Sequence, residues 1–543
     1  MDSNQQDFSR LLSELSQIGI ALSAERDHGR LLEMILIRAQ EMTSADGGTL
    51  YSCSEDKTLI FEIMLSTSLG IYKGGTSGEP IEMPPLALYD DNGKPNNHAV
   101  AAWAALSGET INIEDAYTNE EFDFSGTRAF DQLTGYRSQS FLTVPMTNHE
   151  NEIIGVLQLI NALERESGAI RPFTRLDQQL VEALASQAAV AVTNQSLIEA
   201  QRRLFDSLIQ LIANAIDEKS PYTAGHCRRV PVLTNLLADA ACRTTAGPLA
   251  TFNLTDREKY ELEVAAWLHD CGKITTPEYV VDKSTKLETI YDRIGLIHTR
   301  FAVMRQEAEN RALRRKLQAV GIDATDISND FTYQAELASL EADREFVRRS
   351  NIGSESMSAA DCAYIERIAN MTWQDADGED VRLLSDDEVN NLQIGRGTLT
   401  VREREIIKNH VSVSIKMLES LPYPKHLRRV PEYAGGHHEK MDGSGYPNGL
   451  TCEQMSLPAR MVAIADVFEA LTANDRPYKD AMPLSRALRI LGQMKVDNHI
   501  DGDLFDAFIW NEVYMQYARE YLNAEQLDSV DLNSIPGYIP PPN

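Results

Sequence analysis

Nowhere in its 543 residues does this sequence hold the ~20 consecutive apolar residues that a membrane-spanning helix needs, so no membrane partner is expected. The opening MDSNQQDFSRLLSEL has neither the basic nor the apolar segment of a secretory leader, and the expected location is the cytoplasm. The six cysteines (Cys53, Cys227, Cys242, Cys271, Cys362, Cys452) are scattered, with no CxxC pair. That spacing excludes a zinc–thiolate site, and in a reducing compartment it excludes disulfides. Positive charge is also short: 51 Lys and Arg stand against 81 Asp and Glu, a net charge of −30. Such a surface repels nucleic acid polymers, and a small anionic substrate would bind only where local cations or metals reverse the field.

Apolar content of 43% and charged content of 24% are those of ordinary globular protein, and the length exceeds what one core organises. Residues 1–24 carry Phe8, Leu11, Leu12, Leu15, Ile18 and Leu22 at helical spacing, as a capping helix or a dimer-forming coil. A homodimer is expected. Residues 25–198 read as helix, short strands, then helix, and the runs 140–148 and 151–162 form an antiparallel pair. Some forty residues of helical text without Gly or Pro follow from 173, so the connecting segment 199–216 belongs to one long helix. From 217 the chain is nearly all helical. Residues 217–287 and 399–525 hold the chemistry, and the charged text between them, 288–398, reads as an inserted helical hairpin. The proline-rich tail 526–543 is expected to be extended or disordered. The fold class is therefore multidomain: an α+β domain with an antiparallel sheet, joined by a long helix to an all-α domain with a helical insertion.

Five histidines lie with carboxylates in segments whose periodicity turns them inward. His226 precedes the stripe Val230, Leu233, Leu237; His269 and Asp270 close EKYELEVAAWLHD; His410 lies on the face of Ile407, Val411, Ser414 and Leu418. His437 and His438 are adjacent in GGHHEKMDGSGYP, and Asp466 sits inside the apolar run MVAIADVFEAL. Taken singly, each is more simply a hydrogen-bonded core residue. Taken together they would need many separate partners, and an unpaired Asp466 would carry a heavy desolvation penalty. One metal cluster satisfies all of them. Seven N and O ligands without thiolate are too many for one tetrahedral ion, so two metals are indicated, with Asp270 as the bridging carboxylate. Iron or manganese suits such a ligand set, and phosphodiester hydrolysis is the reaction that uses it best.

The strings GHCRRV, HDCGK, KNHV, HHEKMDGSGYP, IADVFEALTA and DRPYK, in this order, resemble the HD-GYP family of the HD hydrolases, which degrade cyclic di-GMP. The resemblance implies that His226, His269, Asp270, His410, His437, His438 and Asp466 are metal ligands. It makes Lys273 a phosphate-contacting, proton-donating residue beside the cluster, with catalytic roles for Lys273 and Asp270. Arg476 and Lys479 would hold the phosphate not under attack, and Tyr446, in the loop Gly445–Tyr446–Pro447, would lie beside the substrate.

Three departures from the family pattern stand out. Tyr222 occupies the place of the Glu that three-metal members carry, which implies two metals and linear pGpG as main product, with GMP as a further product. One residue is added between Asp466 and Arg476. The insertion brings a rival, His298, to about the distance where the family's middle histidine is due, but LTVREREIIKNHV reproduces the family helix far better and favours His410.

Residues 25–198 resemble GAF domains. Asn161, Phe173 and Asp177 match a signature of the nucleotide-binding members, while Ala162 and Gln178 replace its Lys and Glu. A small-molecule sensor and a purely structural or dimerising domain are both compatible with this text. The expected activity is hydrolysis of cyclic di-GMP under GAF control. The alternatives are a receptor that binds a cyclic dinucleotide without cutting it, and a phosphodiesterase for another cyclic nucleotide such as cyclic GMP-AMP.

Overall fold

The computed structural model describes residues 15–90, 92–219, 225–320, 330–353, 356–375, 377–473 and 481–541. The chain divides into two compact units between Phe205 and Asp206.

In the first unit a helix over 15–24 (α1) precedes α2 (His28–Thr43), which starts where the Asp27 carboxylate accepts from Arg30 N at 2.7 Å. Strands follow as β1 (Ala45–Cys53), β2 (Thr58–Ser66), β3 (Ile71–Gly74), β4 (Leu86–Ala87), β5 (Ile111–Ile113), β6 (Phe141–Thr147), β7 (Ile153–Leu163) and β8 (Ile170–Arg171). Helices α3 (Val100–Ser107) and α4 (Ser125–Thr134) interrupt them, and α5 (Arg175–Asp217) closes the series. All strand pairs are antiparallel, in the order β3-β2-β1-β7-β6-β5, with β4 on β2 and β8 on β7. The expected pair β6–β7 is set by its turn: Asn148 Oδ1 accepts from Glu150 N and Glu152 N, both at 2.9 Å. Leu31, Ile35 and Leu36 of α2 and Val181, Leu184, Ala185 and Ala188 of α5 share one core with Leu50 and Leu157 of the sheet. The stretch predicted as one long helix is one, of 43 residues.

The second unit is built from helices: α6 (His226–Arg243), α7 (Asp256–Leu268), α8 (Glu278–Val281), α9 (Ile294–Val320), α10 (Phe331–Ser350), α11 (Ala359–Ala369), α12 (Asp386–Leu392), α13 (Val401–Glu419), α14 (Val430–Gly435), α15 (Leu457–Thr472), α16 (Leu484–Val496), α17 (Gly502–Trp510) and α18 (Val513–Tyr521). Reciprocal caps start two of the helices that carry the site. Thr255 with Glu258 opens α7, and Thr400 with Glu403 opens α13.

The inserted segment is more than a charged hairpin. Helices α9 and α10 do run antiparallel, tied by Arg311–Glu336 at 2.6 Å and Arg315–Asp330 at 3.6 Å. However, Ile297, Phe301, Met304 and Ala308 form a buried stripe, and they share a core with Leu340, Val347, Ile365, Ile368, Leu384 and Leu392. A two-stranded sheet, β9 (Thr372–Gln374) with β10 (Asp380–Arg382), completes it around a turn in which Asp375 Oδ1 accepts from Asp377 N and Glu379 N. The many charges of this text occupy the outer faces, and a single stripe every three to four residues is enough for a core. The crossings are tied as well: buried Lys283 donates to Asn391 Oδ1 and Glu403 Oε2, both at 2.8 Å, and Thr398 Oγ1 donates to Lys283 O at 2.8 Å.

Among its described residues the tail, expected to be extended or disordered, forms only short 3₁₀ turns and lies against the helices. Ile535 is buried, and the Trp510 indole donates to Ile539 O at 2.7 Å. Among the described residues no helix is long and apolar enough to cross a membrane.

Candidate metal centre

Five segments bring seven side chains together. His226 is the first residue of α6, whose Val230, Leu233 and Leu237 are buried, so the helix enters the core with its imidazole inward. His269 caps the C-terminus of α7, with Asp270 next, and the 3₁₀ turn Cys271–Thr275 presents Lys273. His410 lies in the middle of α13, His437 and His438 follow α14, and Asp466 lies in α15. Gly272 allows the approach of the turn to α13: a Cβ there would lie 2.0 Å from His410 O and 2.7 Å from Ser414 N. Its N–H donates to Ser414 Oγ at 2.8 Å. Asp270 is thereby held against His410 across the inserted 111 residues numbered 288–398.

Asp270 divides its two carboxylate oxygens. Oδ2 faces His226 Nε2 at 3.4 Å and His269 Nε2 at 3.3 Å; Oδ1 faces His410 Nε2 at 3.2 Å and His437 Nε2 at 3.9 Å. Asp466 Oδ1 lies 3.2 Å from His226 Nε2 and 3.8 Å from His269 Nε2. Ligand atoms of His226, His269 and Asp466 fall within 4.8 Å of one another, as do those of His410, His437 and His438, and those of His269, Asp270 and His437. The result is two donor groups with Asp270 between them.

The imidazoles are oriented from behind. Nδ1 of His269, His410 and His437 faces the carbonyl three residues earlier, Ala266 O at 2.8 Å, Ile407 O at 2.5 Å and Ala434 O at 2.6 Å. Nδ1 of His226 pairs with Glu469, whose other oxygen accepts from Arg229 Nε at 2.6 Å. With each Nδ1 proton so placed, the Nε2 lone pairs converge, and all four Nε2 atoms are buried without a hydrogen-bond partner. Four buried Nε2 atoms and Asp270 Oδ1, none with a hydrogen-bond partner, are costly in one pocket unless a cation fills it, and this N/O donor set suits a transition metal.

The charges point the same way. Burial opposes ionisation of Asp270, yet the Lys273 ammonium at 2.6 Å and the His269 ring hold it well below the usual carboxylate range. Asp466 is held down too, by His226 and His269 against the effect of burial, and Glu469 falls to about 2 beside His226 and Arg229. These carboxylates raise His226 well above its ordinary value and His269 to about 9, although burial pulls the other way. Burial and neighbouring imidazoles keep His437 low, and burial takes His438 to about 4. In the chain by itself, protons on His226 and His269 balance the carboxylates; a metal held by the same groups competes with those protons.

Tyr446 stacks on His438, ring centroids 4.8 Å apart, with Lys408 Nζ 5.6 Å from the tyrosine centroid. Its loop is folded by buried Glu439, which accepts from Asn448 N at 2.7 Å and Leu450 N at 3.0 Å. At Gly445 a Cβ would lie 2.4 Å from Lys440 N, so no other residue fits there. Arg476, Lys479 and Tyr222 lie outside the described residues. His298 does not join the cluster: it sits on α9, where burial and Arg344 and Arg348 lower its pKa. Glu469, Gly272 and Glu439 were missed from sequence. Glu469 follows Asp466 by three residues, one helical turn on the same face, and that spacing was its signal.

In the first unit the nucleotide-signature residues serve the fold. Asn161 Oδ1 accepts from Gln139 N at 2.7 Å, its Nδ2 donates to Arg137 O at 2.8 Å, and Asp177 accepts from Arg171 and Thr174. Phe173 is buried, and its carbonyl accepts from Asn112.

Comparison with known proteins agrees with this architecture. The GAF domain profile matches residues 27–192 and the HD domain profile residues 373–504. Among relatives, the 3'3'-cGAMP-specific phosphodiesterase 3 of Vibrio cholerae is 27% identical over 60% of this chain and 43% of its own length. The cyclic di-GMP phosphodiesterase of Thermotoga maritima is 41% identical over 17% of this chain and 25% of its own. The chain thus spans less than half the length of these curated relatives. A GAF domain of an Acinetobacter phosphoenolpyruvate-protein phosphotransferase superposes with a TM-score of 0.26 at 15% identity, covering 35% of this chain and 98% of that one. The chain carries an antiparallel GAF domain followed by a helical HD domain. In these parts it is similar to proteins named cyclic di-GMP and 3'3'-cGAMP-specific phosphodiesterases.

Proposed function

We propose that this chain is a metal-dependent phosphodiesterase that opens a cyclic dinucleotide, cyclic di-GMP to linear pGpG first, with GMP as a further product. The observation that carries the reading is the division of Asp270 between two imidazole groups whose Nε2 atoms are buried without a hydrogen-bond partner. Two ions, iron or manganese, would be held by His226, His269 and Asp466 on one side and His410, His437 and His438 on the other, with Asp270 bridging. Bound there, they supply activation of the attacking water and stabilisation of charge on the phosphoryl oxygens. Lys273, beside Asp270, gives a proton to the leaving 3′ oxygen as its bond to phosphorus breaks and one to water oxygen forms. Arg476 and Lys479 would hold the second phosphate, and Tyr446, stacked on His438, would lie beside the substrate. The printed name of the Vibrio cholerae relative makes cyclic GMP-AMP the second substrate to test.

The proposed division is that read from the sequence: GAF sensor 25–198, connecting helix 199–216, catalytic parts 217–287 and 399–525, insertion 288–398. The GAF domain would regulate turnover in a cytoplasmic homodimer. The test is product analysis with cyclic di-GMP and cyclic GMP-AMP on manganese-loaded and chelator-treated protein. Hydrolysis confined to the loaded sample supports the reading; tight binding without hydrolysis in any metal form makes the chain a receptor instead.

A further inference from the structure

Helix α5 ends in a set of side chains directed at the segments that carry the site. Within the second unit, Asp206 accepts from Tyr260 OH of α7 at 2.6 Å, and Asn214 accepts from Arg228 Nε at 2.8 Å. Asp217 Oδ1 accepts from Cys227 N, next to His226, at 3.3 Å. Lys219, two residues after the helix, donates to three carbonyls at once: Lys273 O at 3.1 Å, Ile274 O at 2.6 Å and Thr276 O at 2.6 Å. An ammonium has three N–H donors, and all three are engaged here.

Those acceptors are the carbonyls at the end of the 3₁₀ turn Cys271–Thr275 and the residue after it. Lys273 O also accepts from Thr276 N at 3.0 Å, closing the turn, and a cation at the C-terminal end of so short a turn is favourably placed for the carbonyls there. The other end of the turn is fixed by Gly272 N on Ser414 Oγ at 2.8 Å. Between the two anchors stands Lys273, whose Nζ reaches Asp270 Oδ2 at 2.6 Å.

We infer that Lys219 is a positioning residue for Lys273, clamping the carbonyl end of the Cys271–Thr275 turn so that the Lys273 ammonium stays on Asp270. The inference rests on the role proposed for Lys273 above. It also gives α5 a defined endpoint. The helix whose Val181, Leu184 and Ala185 lie in the core of the first unit leads, two residues past its end, to the side chain that fixes the catalytic turn.

The test uses the full-length, manganese-loaded chain carrying Lys219→Met, Lys219→Gln and Lys219→Arg. Reading hydrogen exchange beside turnover, we expect amides of 271–276 to exchange about tenfold faster in the Met and Gln variants, with the Arg variant close to wild type. In the same samples kcat falls about ten- to a hundredfold while KM and metal content per chain hold, and Arg restores most of kcat. A purely structural lysine would lower the melting temperature and leave kcat per folded, metal-loaded chain unchanged; that result overturns the proposal, as does unchanged exchange over 271–276. If the wild-type chain hydrolyses no cyclic dinucleotide, the functional reading fails, and the exchange data alone still decide whether Lys219 clamps the turn. Two neutral variants are used so that failure of one to fold leaves the other to be read.

Discussion

Glu469 pairs with Nδ1 of His226 and accepts from Arg229 on its other oxygen, so a carboxylate behind the cluster determines which nitrogen of His226 faces it. Glu469→Gln keeps the shape and removes the charge that favours the Nδ1 proton. We expect metal affinity or turnover to fall about 10- to 100-fold with the fold retained. Metal titration and circular dichroism check this, and a variant with wild-type affinity would remove Glu469 from the site.

His410 and His298 compete for the same place in a sequence reading, and only His410 lies beside Asp270, with Nε2 at 3.2 Å from Oδ1. His410→Ala should lower metal content and cut hydrolysis by more than about a hundredfold. His298→Ala should stay within about twofold of wild type, since its effect is confined to local packing on α9. The reverse pattern would exchange the two assignments.

Gly272→Ala places a methyl group 2.0 Å from a backbone oxygen and 2.7 Å from a backbone nitrogen of α13, neither of which is a flexible side-chain end. The turn and α13 must separate, and we expect a loss of about 1–3 kcal/mol together with weakened metal binding. Thermal melting with and without metal reads both effects. A variant that melts with the wild type would show that the two segments do not need their close contact.

Metal uptake should depend on pH through His269. Its pKa is raised to about 9 from 6.5 by Asp270 and Asp466, so in the metal-free chain it adds stability that is full below about pH 6.5 and lost as pH rises through about 9. Glu469 runs the other way: lowered to about 2 from 4.5, it adds stability above about pH 4.5 that is lost as pH falls through about 2. A metal must displace the His269 proton, so apparent affinity rises with pH up to about 9. His438, at about 4, is already neutral and contributes no such dependence near neutrality. Calorimetric titration in buffers of different ionisation enthalpy should show proton release at pH 7; uptake without proton release contradicts this charge balance.

The segments that meet at the cluster were legible in the sequence because each polar residue sits on a stripe that must be buried, and a buried stripe identifies its own intruders. His226, His410 and Asp466 are of this kind. The long helix α5 was legible from forty residues without a breaker. Glu469 was not picked out, because a second carboxylate in an apolar run looks like a lapse of periodicity until its partner, 243 residues away in sequence, is known. The core of the insertion was hidden by composition: Phe301, Val347 and Leu392 are few among many charges, and only their facing arrangement makes them a core. Asn161 and Asp177 match a nucleotide-binding signature that is compatible with a ligand or with a structural role, and their hydrogen bonds go to the backbone and side chains that close the strand ends.

The central claim is that Asp270 joins two metal ions, and the measurement that bears on it most directly is metal analysis of anaerobically prepared wild-type and Asp270→Ala protein, coupled to product identification with cyclic di-GMP. The account predicts about two iron or manganese ions per wild-type chain with pGpG as product, and loss of both metal and activity in the variant. An Asp270→Ala protein that keeps its metal and still cuts the substrate would contradict it.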